Sequence, residues 1–291
     1  MKKNIGVLWI GGDRRQLVAE NSLYELGWNT SVCLNGEKSL AKGKQYENWQ
    51  LALQENKVLI FPLPMAKDRI YLNLSPNKIL LSDIIRHIQP DSLVLGGNIS
   101  PEVCDMLNKK GIRFIDYYGD ELQIRNALPT AEGAIGIAIC EMPVMLSGAR
   151  ALVVGYGRIG KILALKLQLL GATVTVAARK PTDIALAKAN GHETISIQEG
   201  IAQTRFYGFD VIFNTVPVRL FGGEILSILD KEALFIDLAS FPYGIDPEAA
   251  SKYAIRVIRA QSLPGKYSPI SAGKILAETV VRILTKEDTT P

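Results

Sequence analysis

Short apolar runs alternate with stretches of helical spacing along the whole chain. In the first half, apolar runs typical of buried strands occupy Asn4–Ile10, Val58–Pro62, Ser92–Leu95 and Ile112–Asp116. Between them, apolar positions three and four residues apart predict helices over Arg14–Leu26, Ser82–Ile88 and Pro101–Lys110. Strands that alternate with helices form parallel sheets covered by helices, so this half is predicted to be a doubly wound α/β domain.

The second half repeats this alternation in a more regular form. Strands are predicted over Ala151–Val154, Thr173–Ala177, Val211–Asn214, Leu234–Asp237 and Arg256–Ile258. Helical spacing covers Ile159–Leu170 and Asp183–Asn190, and a last stretch, Lys274–Leu284, carries its apolar residues on one stripe. The second half is therefore predicted to hold a second parallel sheet, followed by an amphipathic helix.

The segment between the halves has a different pattern. Thr130–Leu146 is apolar on nearly every side, which predicts a buried helix at a junction. We therefore predict two doubly wound Rossmann-like α/β domains with a cleft between them. The N-terminal, substrate-side domain covers 1–128, an interdomain helix covers 129–147, and a dinucleotide-binding domain covers 148–262. The segment 263–291 is predicted to return to the N-terminal domain.

A glycine motif lies between the first strand and the first helix of the second domain. It reads Gly155-Tyr-Gly157-Arg-Ile-Gly160, so Arg158 and Ile159 open the helix. In this context the first glycine permits a tight turn and the second lets a pyrophosphate approach the backbone. The third lets the helix pack closely on the strand. The alternative is a plain strand-to-helix turn, but the setting favours a dinucleotide site at the helix N-terminus.

The end of the next strand bears on the choice of cofactor. A site for NAD usually has an acidic residue there, which binds the ribose hydroxyls. This chain has Arg179 and Lys180 instead, and its next acidic residue is Asp183. A guanidinium matches a phosphate bidentately, so the sequence favours NADP over NAD.

Two further strand ends are predicted to line the same crevice. Ligands of doubly wound sheets lie at the carboxyl ends of the strands. The polar and small residues at these two ends are predicted to contact the nicotinamide half of the cofactor: Asn214, Thr215, Val216, Pro217, Asp237 and Ala239. Ordinary turn chemistry is the alternative interpretation.

Composition excludes several classes of function. The chain has 33 basic and 29 acidic residues, and a net charge of +4 is too small and scattered to indicate nucleic-acid binding. No apolar stretch approaches the roughly 20 residues of a membrane span, so no membrane association is predicted. The three cysteines and two histidines lack metal-site spacing, and no metal is predicted.

Polar clusters outside the glycine motif are candidates for a substrate site. They lie at strand tips or near helix starts, and their cations and helix N-termini suit an anionic substrate with one or more carboxylates. The candidates are Gly12, Asp13 and Arg14, then Asn98, then Thr130, Glu132 and Gly133, and finally Lys266 and Ser271. Thr130 is predicted to cap the buried helix, with Glu132 near its positive end.

Five segments together resemble a known family. These are Gly-Gly-Asp-x-Arg at Gly11–Arg15, Leu-Pro-Thr-Ala-Glu-Gly at Leu128–Gly133, the glycine motif, the Ala-Arg-Lys strand end, and Leu-Pro-Gly-Lys-Tyr-Ser-Pro at Leu263–Pro269. In this order they resemble the A subunits of dipicolinate synthase from spore-forming bacteria, over nearly the whole length. Tyr117-Tyr118 and residues 38–56 look individual to this chain.

The resemblance implies a function and a partner. The family oxidises a dihydrodipicolinate-type dicarboxylate to dipicolinate during sporulation, and it works with the B subunit of dipicolinate synthase. The same resemblance implies a cytoplasmic location in the mother cell, and the chain is also a candidate homo-oligomer. Aromatisation drives such an oxidation, so a strong general base is not required. Glu132, Lys266 and Asp237 remain open as candidate catalytic residues.

Two alternatives stay open. One is a related oxidoreductase of the alanine-dehydrogenase or hydroxyacid type, which the lack of a suitably placed histidine disfavours. The other is a cofactor-binding subunit without chemistry of its own.

Overall fold

The computed structural model describes residues 5–68, 70–198 and 206–287. The chain forms two compact units: unit 1 comprises residues 1–125 and 268–291, and unit 2 comprises residues 126–267. Asn4, which the sequence placed in the first strand, lies outside the described residues.

Unit 1 is built on a six-stranded parallel sheet in the order β3-β2-β1-β4-β7-β8. Its strands are β1 Val7–Ile10, β2 Thr30–Cys33, β3 Lys44–Gln45, β4 Val58–Ile60, β7 Leu93–Gly96 and β8 Arg113–Asp116. An antiparallel hairpin is formed by β5 Ala66–Lys67 and β6 Tyr71–Leu72. Its helices are α1 Arg14–Glu25, α2 Trp49–Glu55, α3 Leu81–His87, α4 Pro101–Lys109 and, near the end of the chain, α11 Pro269–Glu287.

The sheet of unit 1 is buried on both faces. Alternate residues of β1 enter different apolar clusters, because successive side chains of a strand point to opposite faces. Leu8 belongs to one cluster and Trp9 to the other, which also contains residues of α1 and α11. Gly273 permits close packing of these two helices, because a Cβ there would lie 2.6 Å from Val18 Cβ and 2.7 Å from the Arg15 carbonyl oxygen.

Unit 2 has the same sheet order, β11-β10-β9-β12-β13-β14, with every strand parallel. Its strands are β9 Arg150–Val154, β10 Thr173–Ala178, β11 Glu193–Ser196, β12 Val211–Asn214, β13 Leu234–Asp237 and β14 Arg256–Arg259. Its described helices include α6 Arg158–Leu169, α7 Pro181–Ala189, α8 Gly223–Ile228, α9 Pro247–Lys252 and α10 Leu263–Tyr267. The predicted fold class, α/β with two doubly wound Rossmann-like domains, is confirmed.

The helix predicted to start at Thr130 is longer than expected. The structure has one helix, α5, over Asp120–Glu141, and its first turn is acidic at Asp120 and Glu121. The sequence suggested a start at Thr130 because threonine is a favourable N-cap residue and Glu132 suits the positive end of a helix. Pro129 instead lies inside α5, where it cannot donate a hydrogen bond to the carbonyl of Arg125. The division between the two units falls directly after Arg125.

Several short elements were not predicted. They are β2, β3, the β5–β6 hairpin, α2, α8 and α9. All of them are at most seven residues long, so they carry too few positions for a period of 2 or 3.6 to be recognised. The segment Leu263–Tyr267, which the sequence assigned to the returning C-terminal part, is a short helix of unit 2.

Candidate cofactor and substrate site

The glycine motif forms a tight turn at the carboxyl end of β9. Gly155 has φ +94°, and a Cβ there would collide with the Thr215 hydroxyl. A Cβ on Gly160 would overlap the Gly155 carbonyl oxygen, which shows how closely α6 packs on the turn. Gly157 differs, because within the described residues no atom outside its own chain neighbours and helix backbone lies within 4 Å of a Cβ built there. The backbone at Gly157, the N-cap of α6, is therefore open to a ligand.

The start of α6 is suited to bind phosphate. Helix N-termini present unpaired N–H groups and a positive dipole end, which favour anions. Arg158 is exposed as the first residue of α6, and Ile159 packs against the apolar cluster below it. Thr215, which directly follows β12, connects that strand end to the glycine turn, because its hydroxyl donates to the carbonyl of Val154 at the end of β9 at 2.9 Å.

Arg179 and Lys180 lie directly after β10 and are both exposed. Lys180 is the N-cap of α7, where its side chain makes no capping hydrogen bond. The tip of the second strand is the place where Rossmann-type domains bind the adenosine ribose. Two cations at this tip suit a 2′-phosphate.

Asn214 and Asp237 form a buried pair across β12 and β13. The Asn214 side-chain amide donates to Asp237 Oδ1 at 2.8 Å, and the Ala239 N–H donates to the same oxygen at 3.2 Å. The Gly244 N–H donates to Asp237 Oδ2 at 2.9 Å. Both carboxylate oxygens are therefore engaged within the fold, and the prediction that Asp237 accepts a proton has no support from this geometry. Asn214 also donates to the Val216 carbonyl at 3.1 Å and accepts from the Val216 N–H at 3.2 Å, so the pair holds the turn that leads to Pro217.

Glu132 and Thr130 lie in the middle of α5, so the prediction of a helix start at these residues is wrong. The Thr130 hydroxyl donates to the Asn126 carbonyl at 2.8 Å, within the helix. Glu132 is exposed and pairs with Lys166 at 3.0 Å. Lys166 follows Arg158 by eight residues, which is about 12 Å along α6 and away from the glycine turn. Glu132 therefore lies away from the positive end of a helix, and its carboxylate is engaged by Lys166. Buried Gly133 packs on Leu263.

Asp13 has a structural role at the start of α1. Its carboxylate caps the helix by accepting from the Arg15 N–H at 3.0 Å, and it holds the buried Arg15 guanidinium at 2.9 Å. Gln16 completes the cap by accepting from the Asp13 N–H at 2.9 Å. Arg14 is exposed, and Gly12, at φ +90°, lies against the Gln16 side chain. Of this cluster, Arg14 is the cation left accessible to an anion.

The remaining predicted substrate residues are exposed. Asn98, at φ +51°, donates its N–H to Asp116 Oδ1 at 2.9 Å, which ties the tip of β7 to that of β8. Lys266 lies in α10 of unit 2 and Ser271 in α11 of unit 1. The segment before the last helix contains α10, and the last helix begins at Pro269 rather than at the predicted Lys274.

Two groups of residues near the cofactor strands were not predicted from the sequence. Tyr156, inside the glycine motif, is buried, and its hydroxyl accepts from the Asn190 amide at 2.9 Å. The His192 ring lies 6.1 Å from it, edge-on. The second group consists of Phe241, Tyr243 and Arg259, at the ends of β13 and β14. Aromatic residues at strand ends were the available signal in the sequence.

The residues that the structure describes contain neither a group of side chains arranged to bind a metal ion nor a helix able to cross a membrane. No group of three or more His, Cys, Asp or Glu side chains in residues 5–68, 70–198 and 206–287 is arranged to hold a metal ion. Within the same residues, no helix has the length and apolar character needed to cross a bilayer. Of the three free cysteines, Cys33 is buried and Cys140 is exposed.

Two family models match the chain. Residues 6–118 match the N-terminal domain of the dipicolinate synthase A subunit, and residues 136–283 match the S-adenosyl-L-homocysteine hydrolase, NAD binding domain. A curated relative, the dipicolinate synthase A subunit of Bacillus subtilis (strain 168), is 33% identical over 170 residues, covering 57% of this chain and 56% of that protein. The match with this relative thus spans little more than half of its length.

Solved structures extend the similarity to nearly the whole chain. The dipicolinate synthase A subunit from Bacillus halodurans has a TM-score of 0.85 and 27% identity, covering 96% of this chain and 97% of that one. Its counterpart from Bacillus subtilis has a TM-score of 0.84 and 25% identity, covering 98% and 97%. A transhydrogenase from Sinorhizobium meliloti, at 15% identity and a TM-score of 0.70 over 96% and 94%, shares the fold. The resemblance to dipicolinate synthase A subunits is confirmed, and so is a nicotinamide-cofactor domain.

Proposed function

We propose that this chain oxidises dihydrodipicolinate to dipicolinate with NADP⁺. The chain belongs to the family of the S-adenosyl-L-homocysteine hydrolase NAD-binding domain, and it resembles dipicolinate synthase A subunits. The observation that carries the proposal is the glycine turn, in which Gly157 faces open space at the start of α6. This is the geometry needed to bind the pyrophosphate of a dinucleotide.

The cofactor preference rests on the tip of β10. Arg179 and Lys180 are exposed there, and Asp183 is the first acidic residue after them. A carboxylate at this tip would repel a 2′-phosphate, whereas a guanidinium binds it with charge-assisted hydrogen bonds. We therefore propose NADP as the cofactor rather than NAD.

The proposed oxidation requires mainly that the protein bind the substrate and orient it towards the cofactor. Bound NADP⁺ supplies the hydride acceptor. The dihydropyridine substrate loses one hydride and one proton, and the product gains an aromatic ring. The protein's task is to neutralise two carboxylates, because burying them without cations is costly. We propose the exposed Lys266 of unit 2 as a carboxylate-binding cation, and neither Glu132 nor Asp237 is proposed as a base.

We further propose that the chain works with a dipicolinate synthase B subunit in the mother cell of a sporulating bacterium, as its likeness to A subunits suggests. One observation favours a second candidate function, a cofactor-binding subunit without chemistry. The described geometry places Glu132 and Asp237 in contacts within the fold, which leaves no assigned proton acceptor.

The test measures NADPH and dipicolinate formed by the purified chain from enzymatically generated dihydrodipicolinate, with and without the B subunit. Turnover by the chain alone, and its loss in Gly157→Val, is the expected result. This variant should fold, since Gly157 has an extended backbone and open surroundings, but it should block the cofactor. Turnover that requires the B subunit and is unchanged by Gly157→Val would overturn the proposal and favour the non-catalytic role.

A further inference from the structure

A loop after β13 carries an exposed aromatic ring at the carboxyl edge of the sheet of unit 2. Phe241 is 76% exposed, although burying a phenylalanine is favourable by about 1.5–3 kcal/mol. Its contact with Tyr243, with ring centroids 5.7 Å apart and an interplanar angle of 86°, holds one edge of the ring. The fold of unit 2 therefore leaves most of the Phe241 ring available to a ligand.

The loop is held in place by its neighbours. Asp237 accepts from the Gly244 N–H at 2.9 Å, and the Tyr243 N–H donates to the Ser240 carbonyl at 2.9 Å. Tyr243 has φ +67°, which a residue with a side chain adopts only when its surroundings impose it. The exposed ring is thus presented by a fixed support.

A cation lies beside this support. The Arg259 guanidinium, at the end of β14, lies over the Tyr243 ring, 4.5 Å from its centroid. In the part of the chain that the structure describes, no acidic side chain forms an ion pair with Arg259. Stacking on an aromatic ring leaves the in-plane N–H donors of a guanidinium directed outward, where a carboxylate can accept them.

The position of the loop relates it to the cofactor site. β13 lies two strands from β9, which is about 10 Å at the usual strand spacing. The tip of β10, with Arg179, is on the other side of β9 and suits the adenosine half of a dinucleotide. The nicotinamide half therefore extends towards β12 and β13, the side on which Phe241 lies.

We propose that Phe241 and Arg259 form a binding subsite for a planar aromatic carboxylate, with Phe241 stacking on the ring and Arg259 binding the carboxylate. This inference rests on the proposed function, since it assigns the subsite to the pyridine dicarboxylate of the reaction. Ring-on-ring contact also discriminates the aromatic product from a puckered, saturated analogue.

The experiment titrates the whole chain with pyridine-2,6-dicarboxylate and, separately, with piperidine-2,6-dicarboxylate, using calorimetry in the presence of NADP⁺. The expected result is a preference for the aromatic compound, lost in Phe241→Ala with roughly ten-fold weaker binding and retained in Phe241→Tyr. Arg259→Gln should weaken both compounds by at least about ten-fold, and Arg259→Lys less.

Leu169→Ala is the matched control, because Leu169 is also 76% exposed but lies at the far end of α6 from the glycine turn. NADPH binding, followed by fluorescence, should be unchanged in every variant. Wild-type affinity for pyridine-2,6-dicarboxylate that survives both Phe241→Ala and Arg259→Gln would overturn the subsite, as would a wild-type chain that does not bind the compound.

The outcome for the subsite is separable from that for the proposed function. If pyridine-2,6-dicarboxylate binding depends on Phe241 but the chain does not reduce NADP⁺, the subsite is supported and the proposed oxidation is ruled out. Turnover with an unchanged KM in both variants supports the oxidation and overturns the subsite.

Discussion

At the scale of single residues, neighbouring side chains decide which polar groups remain available to a ligand. Arg14 and Arg15 are adjacent in the sequence, but Arg15 is buried against Asp13 while Arg14 is exposed. Asp237 ends β13 and Arg179 directly follows β10, but only Arg179 is left accessible. A candidate residue can thus be assigned to binding only after its hydrogen-bond partners are known.

Arg179→Ala should weaken NADP(H) about 10–100-fold, because one charge-assisted contact is worth roughly 1.5–3 kcal/mol. The affinity for NAD(H), which lacks the 2′-phosphate, should change little. Fluorescence titrations of both reduced cofactors check this, with Lys188→Ala as a control for an exposed cation on α7. Equal losses for the two cofactors, or a wild-type preference for NAD(H), would contradict the assignment of Arg179.

His192 should make the stability of unit 2 sensitive to acid. It is buried, neither ring nitrogen has a hydrogen-bond partner among the described residues, and burial lowers its pKa below the ordinary value. Below about pH 6.5 the unfolded chain binds a proton that the folded chain resists. The contribution of His192 to the free energy of unfolding is therefore complete above that pH. It is lost as the pH drops towards the lowered pKa of His192 in the folded state.

The measurement is urea unfolding of unit 2 at several pH values between about 7.5 and 5, which span the ordinary histidine pKa. His192→Leu should reduce the loss of stability on acidification. A pH dependence that is the same in wild type and His192→Leu would rule out this histidine as its source.

At the scale of elements, close packing of α1 on α11 ties the C-terminal helix to unit 1. Gly273→Ala should destabilise unit 1 by roughly 1–3 kcal/mol, because its Cβ would lie 2.7 Å from a backbone oxygen that cannot easily move. Gly136→Ala is the matched control in α5, where no atom from another part of the described chain lies within 4 Å of the new Cβ. That change should be neutral or stabilising by up to about 1 kcal/mol.

Chemical denaturation of both variants, followed by a probe in unit 1, gives the comparison. The packing argument fails if Gly273→Ala is as stable as the wild type. It also fails if the two alanine variants change stability equally.

At the scale of the whole molecule, unit 1 is discontinuous in sequence and unit 2 is continuous. Leu276, Val280 and Leu284 of α11 are almost fully buried in the apolar cluster of unit 1. Expressed alone, residues 126–267 should fold and bind NADPH, whereas residues 1–125 should not fold, since the face covered by α11 would be exposed.

Circular dichroism and hydrogen exchange of the separate fragments check this. A polypeptide in which residues 268–291 are joined to residues 1–125 by a flexible linker should regain a cooperative unfolding transition. Cooperative folding of residues 1–125 by themselves would show that α11 is dispensable to unit 1.

The sequence by itself determined the fold class and the cofactor turn. Long strand and helix patterns repeat often enough to reveal their period, and the glycine motif is local, so its meaning depends on residues within about six positions. The final helix could also be recognised, because its apolar stripe demands a partner.

Tertiary structure decided the rest. Glu132 and Thr130 look like a helix start in sequence, but the fold continues α5 through Pro129. Asp237 looks like a free acid until Asn214 and Gly244 occupy its oxygens. The exposure of Phe241 beside Arg259 depends on contacts between loops of different strands. Such contacts join residues distant in the chain, and no local pattern of hydrophobic and polar positions encodes them.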